Sequence, residues 1–279
     1  MIEANGVELC TEAFGEPDDP PILLIMGIGA SMLWWEEGFC RMLADRGRFV
    51  IRYDHRDTGR STSYEPRQPE YTGDDLTRDA VGVLDAFGIQ AAHLVGVSAG
   101  GGIGQEIAVD YPDRVISLVL ISTSPALSPG RELPPPTGEF TRFVSTADVD
   151  WSDPDSVISY QVDYARLLAG GRRPFDATAA QELVRRDVER ARNFASAQNH
   201  NSIAGDGLAH GSLSSITAPT LVIHGTADPM FPPEHGEALA DEILNANLLV
   251  LEEAGHGVNR AEWETIVAAI AEHTVAHGG

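Results

Sequence analysis

A serine, an aspartate and a histidine stand in sequence settings that suit nucleophilic catalysis. Ser98 is the centre of a Gly-Val-Ser-Ala-Gly motif at 96–100, between an apolar run and a segment with helical periodicity. This pattern at a strand-to-helix turn is typical of a nucleophile elbow, whose strained backbone projects the serine hydroxyl into open space. The flanking glycines lack Cβ atoms and let neighbouring backbone pass close to the turn. Ser98 is therefore the candidate nucleophile.

A serine hydroxyl needs a base, and the base needs an orienting acid. His256 has a glycine on each side and follows a predicted late strand, and Asp228 follows the strand before it. The order serine, acid, histidine suits a serine hydrolase built on an α/β sheet. An acid could also follow the preceding strand, but residues 122–124 are Ser-Thr-Ser, which favours Asp228. The structural alternatives are a turn-forming Asp-Pro pair for Asp228 and a solvated histidine for His256.

Two backbone amides are the candidate donors of an oxyanion hole. The N–H of Ala99 follows the nucleophile directly, at the start of a helix where amides are unpaired and the dipole is positive. The second donor is expected in the small-residue loop 27–30, with Ile28 as its best candidate because the main chain, and not the side chain, donates. The structural alternative for this loop is an ordinary small-residue turn.

Several other residues invite a functional interpretation. The sequence 54–57, Asp-His-Arg-Asp, resembles a metal site, but consecutive residues of an extended loop point apart, so we interpret it as hydrogen-bonded support beneath the site. Trp34 and Trp35 are candidates for the substrate cavity, with core packing as the alternative, and Phe143, Tyr160 and Tyr164 are further candidates for substrate binding. Structural roles are expected for the other histidines, which are His55, His93, His200, His210, His224, His235, His273 and His277.

Strands and helices alternate through most of the chain. A hairpin is predicted over 2–14 with Asn5-Gly6 at its turn. Apolar runs predict strands at 22–26, 48–53, 92–97, 115–121, 220–224 and 248–251. Helical periodicity predicts helices over 34–46, 74–87 with Asp74 as its cap, 103–110, 235–243 and 261–276. Alternation of this kind predicts an α/β fold: a mainly parallel twisted sheet with helices on both faces.

The alternation stops over residues 124–215, where spacing predicts two or three amphipathic helices rich in aromatic residues. This block lies between two strands at their carboxyl ends, where open α/β sheets bind ligands. We therefore expect a core domain of 1–123 and 216–279 with a helical lid, 124–215, inserted over Ser98.

Composition narrows the classes of partner. The chain has 279 residues and a formal charge of −23, and all 19 of its basic side chains are arginine. An acidic surface repels nucleic acid and anionic membranes. The sequence has no long apolar run and no basic, apolar leader, so a cytoplasmic location is expected. Cys10 and Cys40 match no metal spacing, and buried free thiols are expected in preference to a disulfide.

Taken together, these motifs resemble the α/β-hydrolase-fold serine esterases over about 1–123 and 216–279. The loop 53–61, Tyr-Asp-His-Arg-Asp-Thr-Gly-Arg-Ser, is similar in particular to that of the aclacinomycin methylesterases and of esterases that open macrolide lactones. The resemblance implies a triad of Ser98, Asp228 and His256, with Ile28 and Ala99 as oxyanion donors. It also implies bulky polyketide esters as substrates. The lid matches poorly, and Ala99 replaces a larger residue found in some relatives.

The function predicted from the sequence is hydrolysis of a carboxylic ester or lactone of a bulky apolar small molecule through an acyl-enzyme. No metal or organic cofactor is expected. The alternatives are a cofactor-free perhydrolase or haloperoxidase-like activity, or carbon–carbon bond hydrolysis, with the same triad. A third hypothesis is a non-catalytic ligand receptor. Dehalogenase chemistry is disfavoured, because it needs a carboxylate nucleophile and position 98 is a serine.

Overall fold

The computed structural model describes residues 1–127, 131–203 and 211–277. Its strands are β1 Ile2–Ala4, β2 Val7–Leu9, β3 Thr11–Phe14, β4 Pro21–Ile25, β5 Phe49–Tyr53, β6 Ala92–Val97, β7 Val115–Ile121, β8 Thr220–Gly225 and β9 Ala246–Leu251. Its α-helices are α1 Glu37–Ala44, α2 Gly73–Ala86, α3 Ala99–Asp110, α4 Gly138–Thr146, α5 Pro154–Leu168, α6 Ala177–Arg190, α7 Glu234–Glu242 and α8 Trp263–Ala276.

Seven strands form one sheet in the order β3-β5-β4-β6-β7-β8-β9, with β4 to β9 parallel and β3 antiparallel to β5. The predicted α/β fold is thereby confirmed. The hairpin predicted over 2–14 is correct only for β1 and β2, which turn at Asn5 and Gly6. Residues 11–14 instead leave the hairpin and extend the main sheet, where they pair with the outer side of β5.

Helices cover both faces of the sheet, so successive residues of a strand are buried in two different hydrophobic cores. On one face, Leu23 and Leu94 pack with Leu76 of α2 and Ile107 of α3. On the other face, their chain neighbours pack with residues of α1 and α8, and the members include Ile22, Leu24, Val95, Phe39 and Ile266. This alternation explains why the central strands read as continuous apolar runs: each residue is buried whichever way it points.

The predicted helix starts differ from the structure, and the first three differences have a local explanation. The segment predicted as one helix over 34–46 is a 3₁₀ helix, Met32–Trp34, followed by α1. Helix α2 is capped by Thr72, whose N–H donates to the carboxylate of Asp75 at 2.9 Å, so Asp74 is not its cap. Helix α3 begins at Ala99 and not at 103, since its glycines allow close packing: a Cβ on Gly101 would lie 2.7 Å from the side chain of Thr123.

Between β7 and β8 the chain leaves the sheet and forms α4, α5, α6 and a 3₁₀ helix, Phe194–Asn201, as the described part of the predicted helical block. His210 lies outside the described residues. Cys40 is buried and Cys10 is half-buried, and both thiols are free. Within the described ranges, no helix has the length and apolar character needed to cross a membrane.

Candidate active site

Ser98 occupies the turn between β6 and α3 with φ 54° and ψ −127°, a backbone conformation that non-glycine residues rarely adopt. The N–H of Ser98 donates to the carbonyl of Ile121 at 3.0 Å, and the N–H of Gly101 donates to the carbonyl of Ser98 at 2.9 Å. A Cβ on Gly100 would lie 2.2 Å from the carbonyl oxygen of Ile25. The glycine is therefore required where the turn crosses the end of β4, and the strained turn is the one that the motif predicts.

Asp228 and His256 are joined by a hydrogen bond of 2.8 Å between His256 Nδ1 and Asp228 Oδ2. The other carboxylate oxygen of Asp228 accepts from the N–H groups of Met230 and Phe231, each at 2.9 Å. Asp228 follows β8 and His256 follows β9, so two neighbouring parallel strands deliver the pair to the same edge of the sheet. Asp228 therefore stabilises a hydrogen-bonded turn with one carboxylate oxygen and holds the imidazole of His256 with the other.

The environment of Asp228 favours its charged form. Burial opposes ionisation, but His256, the N–H of Phe231 and the nearby His224 outweigh it and lower the pKa of Asp228 below its usual value. A carboxylate only accepts hydrogen bonds, so Nδ1 of His256 carries the proton. In the neutral ring Nε2 is then a free base, which is the tautomer that an acid–base histidine needs.

Ser98 and His256 lie in the wall of one cavity of about 750 Å³. Among the residues that the structure describes, no hydrogen bond joins the side chains of Ser98 and His256. Catalytic hydrogen bonds are often long before a substrate is bound and tighten in the complex. The structure therefore places Ser98 and His256 in the wall of one cavity and joins Asp228 to His256 by a direct hydrogen bond.

The predicted oxyanion loop passes beside Ser98. A Cβ on Gly27 would lie 3.7 Å from Ser98 Oγ, so the main chain of this loop is close to the hydroxyl. Ile28 and Ala99 both line the cavity, and Ile28 is 42% exposed. Ala99 is the first residue of α3, where helix amides lack partners within the helix. The N–H of Gly29, in contrast, already donates to His200 Nδ1 at 2.8 Å.

Aromatic side chains form much of the cavity wall. Residues 124–215 contain seven Phe, Trp and Tyr residues, and six of them line the cavity: Phe140, Trp151, Tyr160, Tyr164, Phe175 and Phe194. Phe143 does not line the cavity, so its assignment to substrate binding is wrong. It stacks on Tyr160 with ring centroids 5.4 Å apart and on Tyr164 at 6.2 Å. Phe143 therefore supports two rings that do face the cavity.

The two adjacent tryptophans have different environments. Trp34 lines the cavity, as predicted. Trp35 is 1% exposed and packs against Phe39 in the core, with ring centroids 5.5 Å apart, so its assignment to substrate binding is wrong. The reason is the 3₁₀ turn at 32–34, which sends the two neighbouring side chains into different environments.

A buried carboxylate in the cavity wall, Asp187, was not predicted. Asp187 Oδ2 accepts from the indole N–H of Trp34 at 2.9 Å. Burial raises the pKa of Asp187 to about 6, and hydrogen bonds from Ser31 and Trp34 oppose that rise. The sequence carried an indication that Asp187 is buried, because position 187 lies three residues after Val184 and so falls on the same apolar face of α6.

The loop 54–61 is the hydrogen-bonded support that the sequence predicted. Asp54 accepts from the N–H groups of Met32 and Arg60, each at 2.9 Å, and forms an ion pair with Arg190 of α6 at 2.7 Å. His55 Nε2 lies 2.9 Å from the carbonyl oxygen of Met26, in the chain that leads to the oxyanion loop. The loop therefore positions the segment after β4.

The geometry of strained serine, acid–base pair and adjacent amides on a parallel sheet defines a class of protein. A family profile described as the α/β hydrolase fold matches residues 20–259, and the chain belongs to this family.

Particular relatives are similar over almost the whole chain. The rhodomycin D methylesterase DauP of Streptomyces sp. strain C5 is 36% identical over 297 aligned positions, which cover 99% of this chain and 98% of the relative. The rhodomycin D methylesterase DnrP of Streptomyces peucetius is 35% identical with the same coverage. These matches confirm the resemblance inferred from the motifs. Among solved structures, a meta-cleavage product hydrolase from Pseudomonas fluorescens has a TM-score of 0.76 at 22% identity, covering 99% of this chain and 97% of that one, and shows the shared fold.

Proposed function

We propose that the protein hydrolyses a carboxylic ester of a bulky, largely apolar small molecule through a serine acyl-enzyme. The observation that carries the proposal is the buried Asp228–His256 pair, held at 2.8 Å beside a cavity whose wall also contains the strained Ser98. A histidine oriented by a carboxylate, in the same cavity as a serine hydroxyl, is the arrangement that activates the hydroxyl.

In the proposed reaction, Ser98 Oγ attacks the ester carbonyl while His256 Nε2 takes the hydroxyl proton. Asp228 holds the ring and stabilises the imidazolium that forms. The N–H groups of Ile28 and Ala99 receive the oxyanion of the tetrahedral intermediate. The imidazolium then gives its proton to the leaving alkoxide, which departs as the alcohol. Water, deprotonated by His256, then attacks the acyl carbon; the acyl–Ser98 Oγ bond breaks, the imidazolium returns its proton to Ser98 Oγ, and the acid is released.

The cavity supports a large aromatic or polycyclic substrate. Its volume of about 750 Å³ lies in the upper range for small-molecule sites, and its wall carries aromatic side chains suited to stacking on flat rings. Two relatives are named as methylesterases of rhodomycin D. We therefore propose a methyl ester on a polyketide-like scaffold as the first substrate to test, with lactones of similar size as the second.

We propose further that the helical block, 124–215, acts as the lid of the site. Its described part packs on the catalytic loops: the N–H of His256 donates to the carbonyl of Leu168, at the end of α5, at 2.7 Å. The 3₁₀ helix Phe194–Asn201 contacts the oxyanion loop through His200. A segment attached at both points covers the bound substrate and limits its contact with bulk solvent.

The test is a panel of esters assayed with the wild type and with Ser98→Ala. The panel contains p-nitrophenyl acyl esters, anthracycline methyl esters and macrolide lactones. We expect Ser98→Ala to reduce kcat by at least about a thousandfold, because loss of a triad member leaves only binding and oxyanion stabilisation. Ser145→Ala, which removes an exposed hydroxyl on α4, is the matched control and should keep wild-type kcat. Unchanged turnover in Ser98→Ala would reject the proposal.

A further inference from the structure

His200 joins the helical block to two loops of the core. It lies in the 3₁₀ helix Phe194–Asn201 and is only 3% exposed. Its Nδ1 is 2.8 Å from the N–H of Gly29, and its Nε2 is 2.8 Å from the carbonyl oxygen of Arg56. One contact reaches the loop after β4 and the other reaches the loop after β5, so His200 links the two loops.

The partners fix the state of the ring. The amide of Gly29 can only donate, so Nδ1 accepts and carries no proton. Nε2 then carries the proton and donates to the carbonyl of Arg56, which can only accept. Burial, and secondarily the nearby His55, lower the pKa of His200 to about 3, in accord with a neutral ring. His200 is thus a neutral acceptor for Gly29.

The contact falls next to the proposed oxyanion donor. Gly29 follows Ile28 directly and adopts φ 75°, a left-handed conformation. On the other side of Ile28, the carbonyl of Met26 is held by His55 Nε2 at 2.9 Å. The two imidazoles pack edge to face with ring centroids 6.0 Å apart. The segment that carries the Ile28 amide is therefore fixed at both ends by histidine rings.

We propose that His200 is a positioning residue for the oxyanion hole: by accepting from Gly29 N–H, it sets the direction of the adjacent Ile28 N–H. The proposal rests on the proposed ester hydrolysis. An oxyanion donor acts only when it lies about 2.7–3.1 Å from the developing charge, and loss of one donor lowers kcat by about 10²–10³. A loop that has lost its anchor will satisfy this geometry for only part of the time.

The 3₁₀ helix has other attachments to the core, so a change at His200 need not displace it. Asn199 Nδ2 donates to Asp57 Oδ2 at 2.9 Å, and Ser196 Oγ donates to the carbonyl of Tyr64 at 2.6 Å. Neither residue contacts the oxyanion loop through these bonds. Ser196→Ala is therefore a matched control that weakens the same helix without touching Gly29.

Two substitutions separate the two hydrogen bonds of His200. In His200→Asn, the amide oxygen can take the place of Nδ1 and keep the acceptor for Gly29. In His200→Gln, the amide nitrogen can take the place of Nε2 and keep only the donor to Arg56. We expect kcat on the best ester to fall about 10- to 100-fold in His200→Gln and less than about 3-fold in His200→Asn, with KM nearly unchanged in both. Ser196→Ala should keep the wild-type kcat.

Hydrogen exchange of the Gly29 amide, followed by NMR on the labelled wild type and variants, gives a readout independent of activity. Exchange should be slow in the wild type, His200→Asn and Ser196→Ala, and faster in His200→Gln. Equal exchange in all four proteins, equal kcat losses in the two His200 variants, or a loss confined to KM would overturn the positioning role. Ester hydrolysis that does not depend on Ser98 would overturn the proposed function instead, while the exchange rates would still decide whether His200 holds the loop.

Discussion

Replacing Asp187 by Asn should make the protein more stable at neutral and alkaline pH. Asp187 is a buried carboxyl facing Ser31 and Trp34, with Asp54 and Arg190 close enough to influence its charge. Burial raises its pKa from 3.8 to about 6. A raised carboxyl pKa means that the fold favours the protonated form. Stability from this group is therefore fully present below pH 3.8 and is lost as the pH rises through 6.

The size of the effect follows from the two pKa values. A difference of about two pKa units corresponds to about 3 kcal/mol, since one unit is about 1.4 kcal/mol. Asn carries no charge at any pH, and its amide oxygen can still accept from the indole N–H of Trp34. The free energy of unfolding of Asp187→Asn should therefore gain on that of the wild type as pH rises. About half of the total, on the order of 1 kcal/mol, develops between pH 5 and pH 8.

The assay is urea unfolding of both proteins at pH 5, 6, 7 and 8. Asp187→Ala is the matched control, because it removes the same charge but leaves the indole N–H of Trp34 without its acceptor. It should show the same pH-dependent change, displaced to lower stability at every pH by about 1–3 kcal/mol. A difference between Asp187→Asn and the wild type that stays constant from pH 5 to pH 8 would refute the reasoning.

Two further predictions concern the cavity and the helical block. Trp35→Ala should lower the free energy of unfolding by about 3–5 kcal/mol, whereas Trp34→Ala should mainly raise KM, since only Trp34 lines the cavity. Denaturant unfolding and ester kinetics of both variants check this prediction, and equal effects of the two substitutions on KM would contradict it. Gly255→Ala should lower the free energy of unfolding by about 1–3 kcal/mol and should also lower kcat. The new Cβ would lie 2.2 Å from the carbonyl oxygen of Leu168 and would force α5 away from the loop that carries His256. The same two measurements on Gly73→Ala, where a Cβ meets nothing within 4 Å, provide the control, and wild-type behaviour of Gly255→Ala would disprove the contact.

The parts of the fold set by local pattern could be predicted from the sequence. Strands β6 and β7 have the predicted bounds because each is a mostly apolar run that is buried on both faces. The strained conformation of Ser98 and the pairing of Asp228 with His256 follow from motifs at strand ends. In these cases the backbone and its neighbours along the chain decide the outcome.

The parts set by distant contacts could not be predicted in this way. His200 meets Gly29 across 171 positions, and Trp34 meets Asp187 across 153. Both contacts depend on how the helical block folds back on the core, which no local periodicity encodes. The separation of Trp34 from Trp35 has a different origin, because one 3₁₀ turn decides which of two identical side chains enters the core.

The most direct test of the account is covalent labelling of the active protein by a fluorophosphonate, read by intact mass and peptide mapping. An activated serine beside an oxyanion hole reacts with this reagent, whereas an ordinary serine hydroxyl does not. The account predicts one adduct per chain on the peptide containing Ser98, loss of ester hydrolysis in proportion to labelling, and no adduct in Ser98→Ala. An adduct on another residue, or full hydrolytic activity in the labelled protein, would contradict the assignment of Ser98 as nucleophile.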